Sequence, residues 1–86
     1  MMPDMTPTHR PFPYSSFAAI GAGTQVDLRR VDEDESTDPE FRDAKLLGGA
    51  AGQPGRQTAT FFVPSLGYSI EASEVQYVAW TRHRSQ

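Results

Sequence analysis

The chain has 86 residues, a formal net charge of −3 and no cysteine. That length holds one domain with a modest core, and the missing cysteine excludes a disulfide staple or a thiolate metal site. The two histidines, His9 and His83, stand near opposite ends, which argues against a zinc site.

No apolar run approaches the roughly 20 residues needed to span a bilayer. The first ten residues lack the basic start and apolar stretch of a secretory signal. A cytoplasmic location is expected, or a virion-associated one for a phage protein. No cofactor is expected.

Residues 1–17 form the first unit. Pro3, Pro7, Pro11 and Pro13 are spaced too closely for a helix or a central strand. An extended arm with polyproline character is predicted. It carries Phe12, Tyr14 and Phe17, which either pack on the rest of the chain or dock on a partner.

Residues 18–81 read as a small β domain. Ile20-Gly-Ala-Gly23 is a turn leading into a first strand over Thr24–Val31, in which Val26 and Leu28 alternate with Gln25, Asp27 and Arg29. The Gly-x-Gly precedes a strand, whereas a dinucleotide fingerprint follows one and opens a helix.

Asp32-Glu-Asp-Glu-Ser-Thr-Asp-Pro-Glu40 is an acidic loop, too densely charged to bury. Ser36 or Asp38 is placed to cap a short helical turn starting at Pro39. Asp32-x-Asp34 looks like the start of a calcium loop, but Thr37 stands where the loop glycine is required.

A second strand is predicted within Phe41–Leu47, followed by a glycine-rich connection over residues 48–55. The clearest signal follows. Ala59, Phe61 and Val63 share one face of a strand with Thr58, Thr60 and Phe62 on the other. Pro64-Ser-Leu-Gly67 reads as a turn, and Tyr68, Ile70 and Ala72 resume the alternation. Ser73–Gln76 suits a 3₁₀ turn, with Glu74 or Ser73 satisfying a free amide, and Tyr77–Trp80 forms the last strand. Residues 82–86 are expected to be a flexible tail.

Five short strands, a long polar loop after the first and a 3₁₀ turn before the last resemble an SH3-like barrel over residues 20–80. The peptide-binding SH3 domains add an aromatic Ala-Leu-Tyr-Asp-Tyr strand and a tandem tryptophan. The matching stretches here, Gln25-Val-Asp-Leu-Arg29 and Gln57-Thr-Ala-Thr60, have neither. The type II dihydrofolate reductases, SH3-like barrels that assemble around a shared pore, are similar at two places. Ile20-Gly-Ala-Gly-Thr-Gln-Val26 resembles their Phe-Gly-x-Gly-x-x-Val, and Gly67-Tyr-Ser-Ile-Glu-Ala72 resembles their Gly-Tyr-Ala-Val-Glu-Ser. Their pore strand Val-Gln-Ile-Tyr meets only Val75-Gln-Tyr77 here, one residue short, and their pore lysine meets Arg29 and Arg30.

No catalytic, cofactor-binding or metal-binding residue is expected: Glu71 faces outward and His83 lies in the tail. The surplus of aromatics points instead to a patch made by Phe12, Tyr14, Phe62 and Tyr77, with Asp32, Glu33, Asp34 and Glu35 as a second contact surface. The expected function is a non-enzymatic protein-interaction or assembly module, a structural subunit (in phage, for example) or an inhibitor. Its partner is another protein or a second copy, and removing residues 1–17 should abolish association while leaving the barrel folded. The alternatives are a nucleic-acid-binding barrel, if Arg29, Arg30, Arg56, Arg82 and Arg84 converge, and the reductase-like oligomer.

Overall fold

The computed structural model describes residues 8–9, 11–82 and 84–85. The strands are β1 (Thr8–His9), β2 (Gln25–Arg30), β3 (Phe41–Leu46), β4 (Thr58–Val63), β5 (Tyr68–Ser73), β6 (Tyr77–Trp80) and β7 (Arg84–Ser85). A 3₁₀ turn, Phe17–Ala19, precedes β2. β2 to β6 form one antiparallel sheet in the order β5-β4-β3-β2-β6, and β1 pairs with β7 in a separate ribbon. This is the mainly β, five-stranded architecture that the alternation predicts.

Every strand turns apolar side chains to one face of the sheet. Val26, Leu28, Ala44, Leu46, Ala59, Phe61, Val63, Ala72 and Ala79 are buried there, and Phe17 and Ile20 close over them. Burial of this kind stabilises by roughly 25 cal/mol per Å² of apolar surface. β4 and β5 pair without irregularity from Thr58↔Ser73 to Val63↔Tyr68. Their turn ends at Gly67, whose φ of 77° suits a residue without Cβ. Tyr68, paired with buried Val63 on the edge strand, is 60% exposed.

The β2–β3 pairing contains a bulge. Val26 faces Ala44, yet Leu28 faces Phe41, so Arg42 and Asp43 together oppose Asp27. Asp43 takes φ 57°, in the left-handed region that aspartate tolerates better than most residues. Its N–H donates to the Asp27 carboxylate at 3.1 Å.

The bulge corrects one expectation. Asp27 and Arg29 alternate away from the core as predicted, but both are 5% exposed rather than solvated. The loop after β2 folds back, the Arg29 Nε donates to the Thr37 carbonyl at 2.9 Å, and Pro39 is buried. Residues 36–40 form no helical turn. The loop is organised instead by the Asp34 carboxylate, which accepts from the amide and hydroxyl of Ser36.

The arm is laid along β6. The Tyr14 N–H donates to the Ala79 carbonyl, the Thr81 N–H to the Phe12 carbonyl, and Pro13 bridges Trp80. Phe12 also donates its N–H to the Thr81 hydroxyl. Proline lacks an N–H, so Pro13 is tolerated here because this is the edge of the sheet.

Candidate functional site

The arm, the 3₁₀ turn and β6 enclose a cleft of about 140 Å³. Tyr14, Ser16 and Phe17 line one side, with Tyr77 and Ala79 from β6 and Glu74 from the β5–β6 turn on the other. Tyr14 reaches the cleft because its backbone is bonded to Ala79. Tyr77 reaches it because it shares the core-facing side of β6 with Ala79.

Glu74 holds the two sides together. One carboxylate oxygen accepts the Phe17 N–H at 2.6 Å, and the other accepts the Gln57 N–H at 2.9 Å. The Glu74 N–H donates to the Gln57 carbonyl. Glu74 therefore serves amides distant in sequence, while Ser73 satisfies the local turn by accepting the Val75 N–H at 3.1 Å. Phe17 completes the anchor, its ring standing edge-to-face on Phe61 with centroids 5.4 Å apart.

Tyr77 sits at the rim of the core, packed against Phe41 at 5.7 Å between ring centroids. Its hydroxyl donates to the Glu40 carboxylate at 2.9 Å, and the Arg30 guanidinium lies 5.7 Å from its ring. Burial, and then the bond to anionic Glu40, push the Tyr77 phenol above its ordinary value near 10. The neutral phenol is thus favoured by folding. That contribution is complete below pH 10 and is lost as the pH rises through the folded value. Glu40→Gln should lower the Tyr77 ionisation towards the ordinary value without reaching it. An ultraviolet titration with Tyr14 and Tyr68 changed to phenylalanine reads this, and an unmoved midpoint would refute the role of Glu40.

Four aromatics stand as candidates, and three share this region. Phe12 is 60% exposed, and its ring lies 6.5 Å from that of Tyr14. Phe62 is elsewhere. It points to the outer face of β4, opposite Lys45 and Ser69, while Tyr77 points inward from β6. A single patch joining Phe62 to the other three does not form, because β3 and β2 separate the two strands.

Among the acidic candidates, Asp32 and Asp34 are exposed and Glu33 and Glu35 are half-buried. Glu33 accepts the Arg30 N–H at 3.3 Å. The Asp34 carboxyl is held below its ordinary value, first by the Ser36 hydroxyl and then by the Ser36 amide. This segment leads in sequence to Glu40, whose carboxylate accepts the Tyr77 hydroxyl.

Comparison of the chain with known protein families, with curated proteins and with solved structures finds no match. The site has to be read from its own chemistry.

Arg29, Arg30 and Arg82 are each engaged within the fold. Arg30 pairs with Glu40 at 3.6 Å, and Arg82 with Asp43 at 3.0 Å. Arg29 is buried with its guanidinium 5.0 Å from the centre of the Trp80 ring. Its Nη1 and the Trp80 Nε1 are buried without hydrogen-bond partners among the described residues. The side chain of Arg84 falls outside the described residues. Val75 and Gln76, the residues matching the reductase pore strand, lie exposed in the turn before β6.

Of the two readings given for Phe17, packing on the chain is the one the structure shows. Glu74 does satisfy free amides, but the sequence did not show that these amides lie on distant segments. The signal for Phe17 was present: Phe17 and Ile20, three apart, frame the short turn whose two ends are buried.

Proposed function

We propose that this chain is a non-enzymatic protein-interaction module that seats an extended, basic segment of a partner protein in the cleft between the arm and β6. The observation that supports it is the composition of that cleft. Tyr14, Phe17 and Tyr77 line it, exposed Phe12 lies beside Tyr14, and Glu40, which follows the acidic loop in sequence, holds the Tyr77 hydroxyl. Aromatic anchors beside a polar rim are the usual makeup of a binding hot spot, and the loop's charge selects a cationic partner and speeds its approach. An SH3-like relationship belongs to this reading, supported by the order in which the last strand returns beside the first strand of the sheet. Such a module serves as a structural subunit or as an inhibitor that presents its acidic loop.

The test is a titration with an extended arginine-containing peptide, followed by backbone amide shifts of the full chain. Shifts should cluster at Tyr14, Glu40, Glu74 and Tyr77, and binding should weaken as salt rises. Tyr14→Ala should weaken binding by a factor of about 30, on the scale of a hot-spot truncation. Shifts confined to other strands, or affinity indifferent to Tyr14→Ala, would sink the proposal.

A further inference from the structure

The two edges of the sheet are treated differently. The outer edge of β6 is covered by the arm through Phe12 and Tyr14. β5 forms the other edge and is left open among the described residues. The Leu47 N–H donates to the Thr60 carbonyl, so Thr60 turns its backbone groups toward β3. Groups alternate sides along a strand, so Ala59, Phe61 and Val63 turn theirs toward Ala72, Ile70 and Tyr68 of β5. Ser69 and Glu71 then direct their N–H and C=O groups outward, away from the sheet, where no hydrogen bond to a described residue engages them. Edge strands are normally protected by lysine, proline, a bulge or brevity. β5 has six residues, Tyr-Ser-Ile-Glu-Ala-Ser, in unbroken register with β4, with no lysine, proline or bulge and with Glu71 as its one charge.

We propose that this edge pairs with the same edge of a second copy of the chain, antiparallel, about a two-fold axis at Ile70. Self-complementarity favours a second copy over an unrelated strand. In this register Ser69 of each copy lies opposite Glu71 of the other, and the outward groups of both exchange four backbone hydrogen bonds. On the core side Ile70 meets its own counterpart, and Tyr68, 60% exposed in the single chain, lies opposite Ala72 of the other copy and is itself covered. The neighbouring registers are poorer. Centring on Glu71 sets two carboxylates face to face, and centring on Ser69 pairs Glu71 with Gly67, already in the turn. The contact is isologous and closes at two copies, leaving each cleft free on the opposite edge.

The decisive experiment is sedimentation of the full chain over a micromolar to millimolar concentration series, with two substitutions at exposed Ser69. Ser69→Glu places like charges opposite each other twice and should raise the dimer dissociation constant at least about tenfold. Ser69→Lys places a cation opposite Glu71 twice and should lower it several-fold, with both effects shrinking in high salt. Circular dichroism confirms that each variant keeps its fold. A wild-type chain that stays monomeric at millimolar concentration overturns the proposal. So does a dimer indifferent to both substitutions, or one that Ser69→Lys weakens.

Discussion

Phe17→Ala is expected to bring the domain close to unfolding. The ring is 2% exposed and stands on Phe61, at the centre of the core. Truncating a buried phenylalanine costs about 3–5 kcal/mol, the sum of lost transfer energy and the cavity left behind. A domain of this size has roughly 5–10 kcal/mol in total. Urea denaturation followed through Trp80 fluorescence should show a large fall in the midpoint. Phe12→Ala, at an exposed ring in the same arm, should change stability by less than about 0.5 kcal/mol. Similar losses from the two substitutions would mean that Phe17 is not the anchor. Deleting residues 1–17 is expected to unfold the chain for the same reason, so association is better probed by single substitutions at Phe12 and Tyr14, which leave Phe17 in place.

Glu74→Ala carries the second large effect. It removes two charge-assisted bonds at 2.6 and 2.9 Å and strands the amides of Phe17 and Gln57. Bonds to a charged acceptor are worth about 1.5–3 kcal/mol each, and water recovers part of the loss at this half-buried position. A net cost of about 2–3 kcal/mol follows, which for a domain this small lowers the melting temperature by roughly 10–20 °C. Glu74→Gln keeps one good acceptor and should cost about half as much. Amide hydrogen exchange supplies the discriminating readout. Exchange at Phe17 and Gln57 should accelerate more than at Phe61, and uniform acceleration would show that Glu74 contributes only to global stability.

The strands were legible where one face alone is buried. From Thr58 to Ser73 the period-two pattern reports burial directly, and β6 is legible for the same reason. β2 misleads because it is covered on both faces. Asp27 and Arg29 have the sequence of a solvated face and the environment of an interior, created by a bulge sixteen residues on and a loop that folds back. Such cover depends on register between distant strands, which no local window contains. The Glu74 clamp is invisible for the same reason, since its acceptors serve amides far along the chain. The aromatic patch was half legible: Tyr14 and Tyr77 do meet at one cleft, but Phe62 follows the parity of β4 to the other side of the sheet.

The pairing of β2 with β6 sets Asp27 opposite Trp80 and Leu28 opposite Ala79. Joining them closes a loop of about fifty residues, the longest separation between paired strands of this sheet. The β4–β5 hairpin can form early from adjacent sequence, whereas β6 must arrive late, placing the chain among slow-folding β topologies. The cleft is built from β6, the turn before it and the arm laid along it, so it exists only after that final docking step. On the proposed reading, binding competence matures last, and a partner seated in the cleft would pull the folding equilibrium forward by mass action.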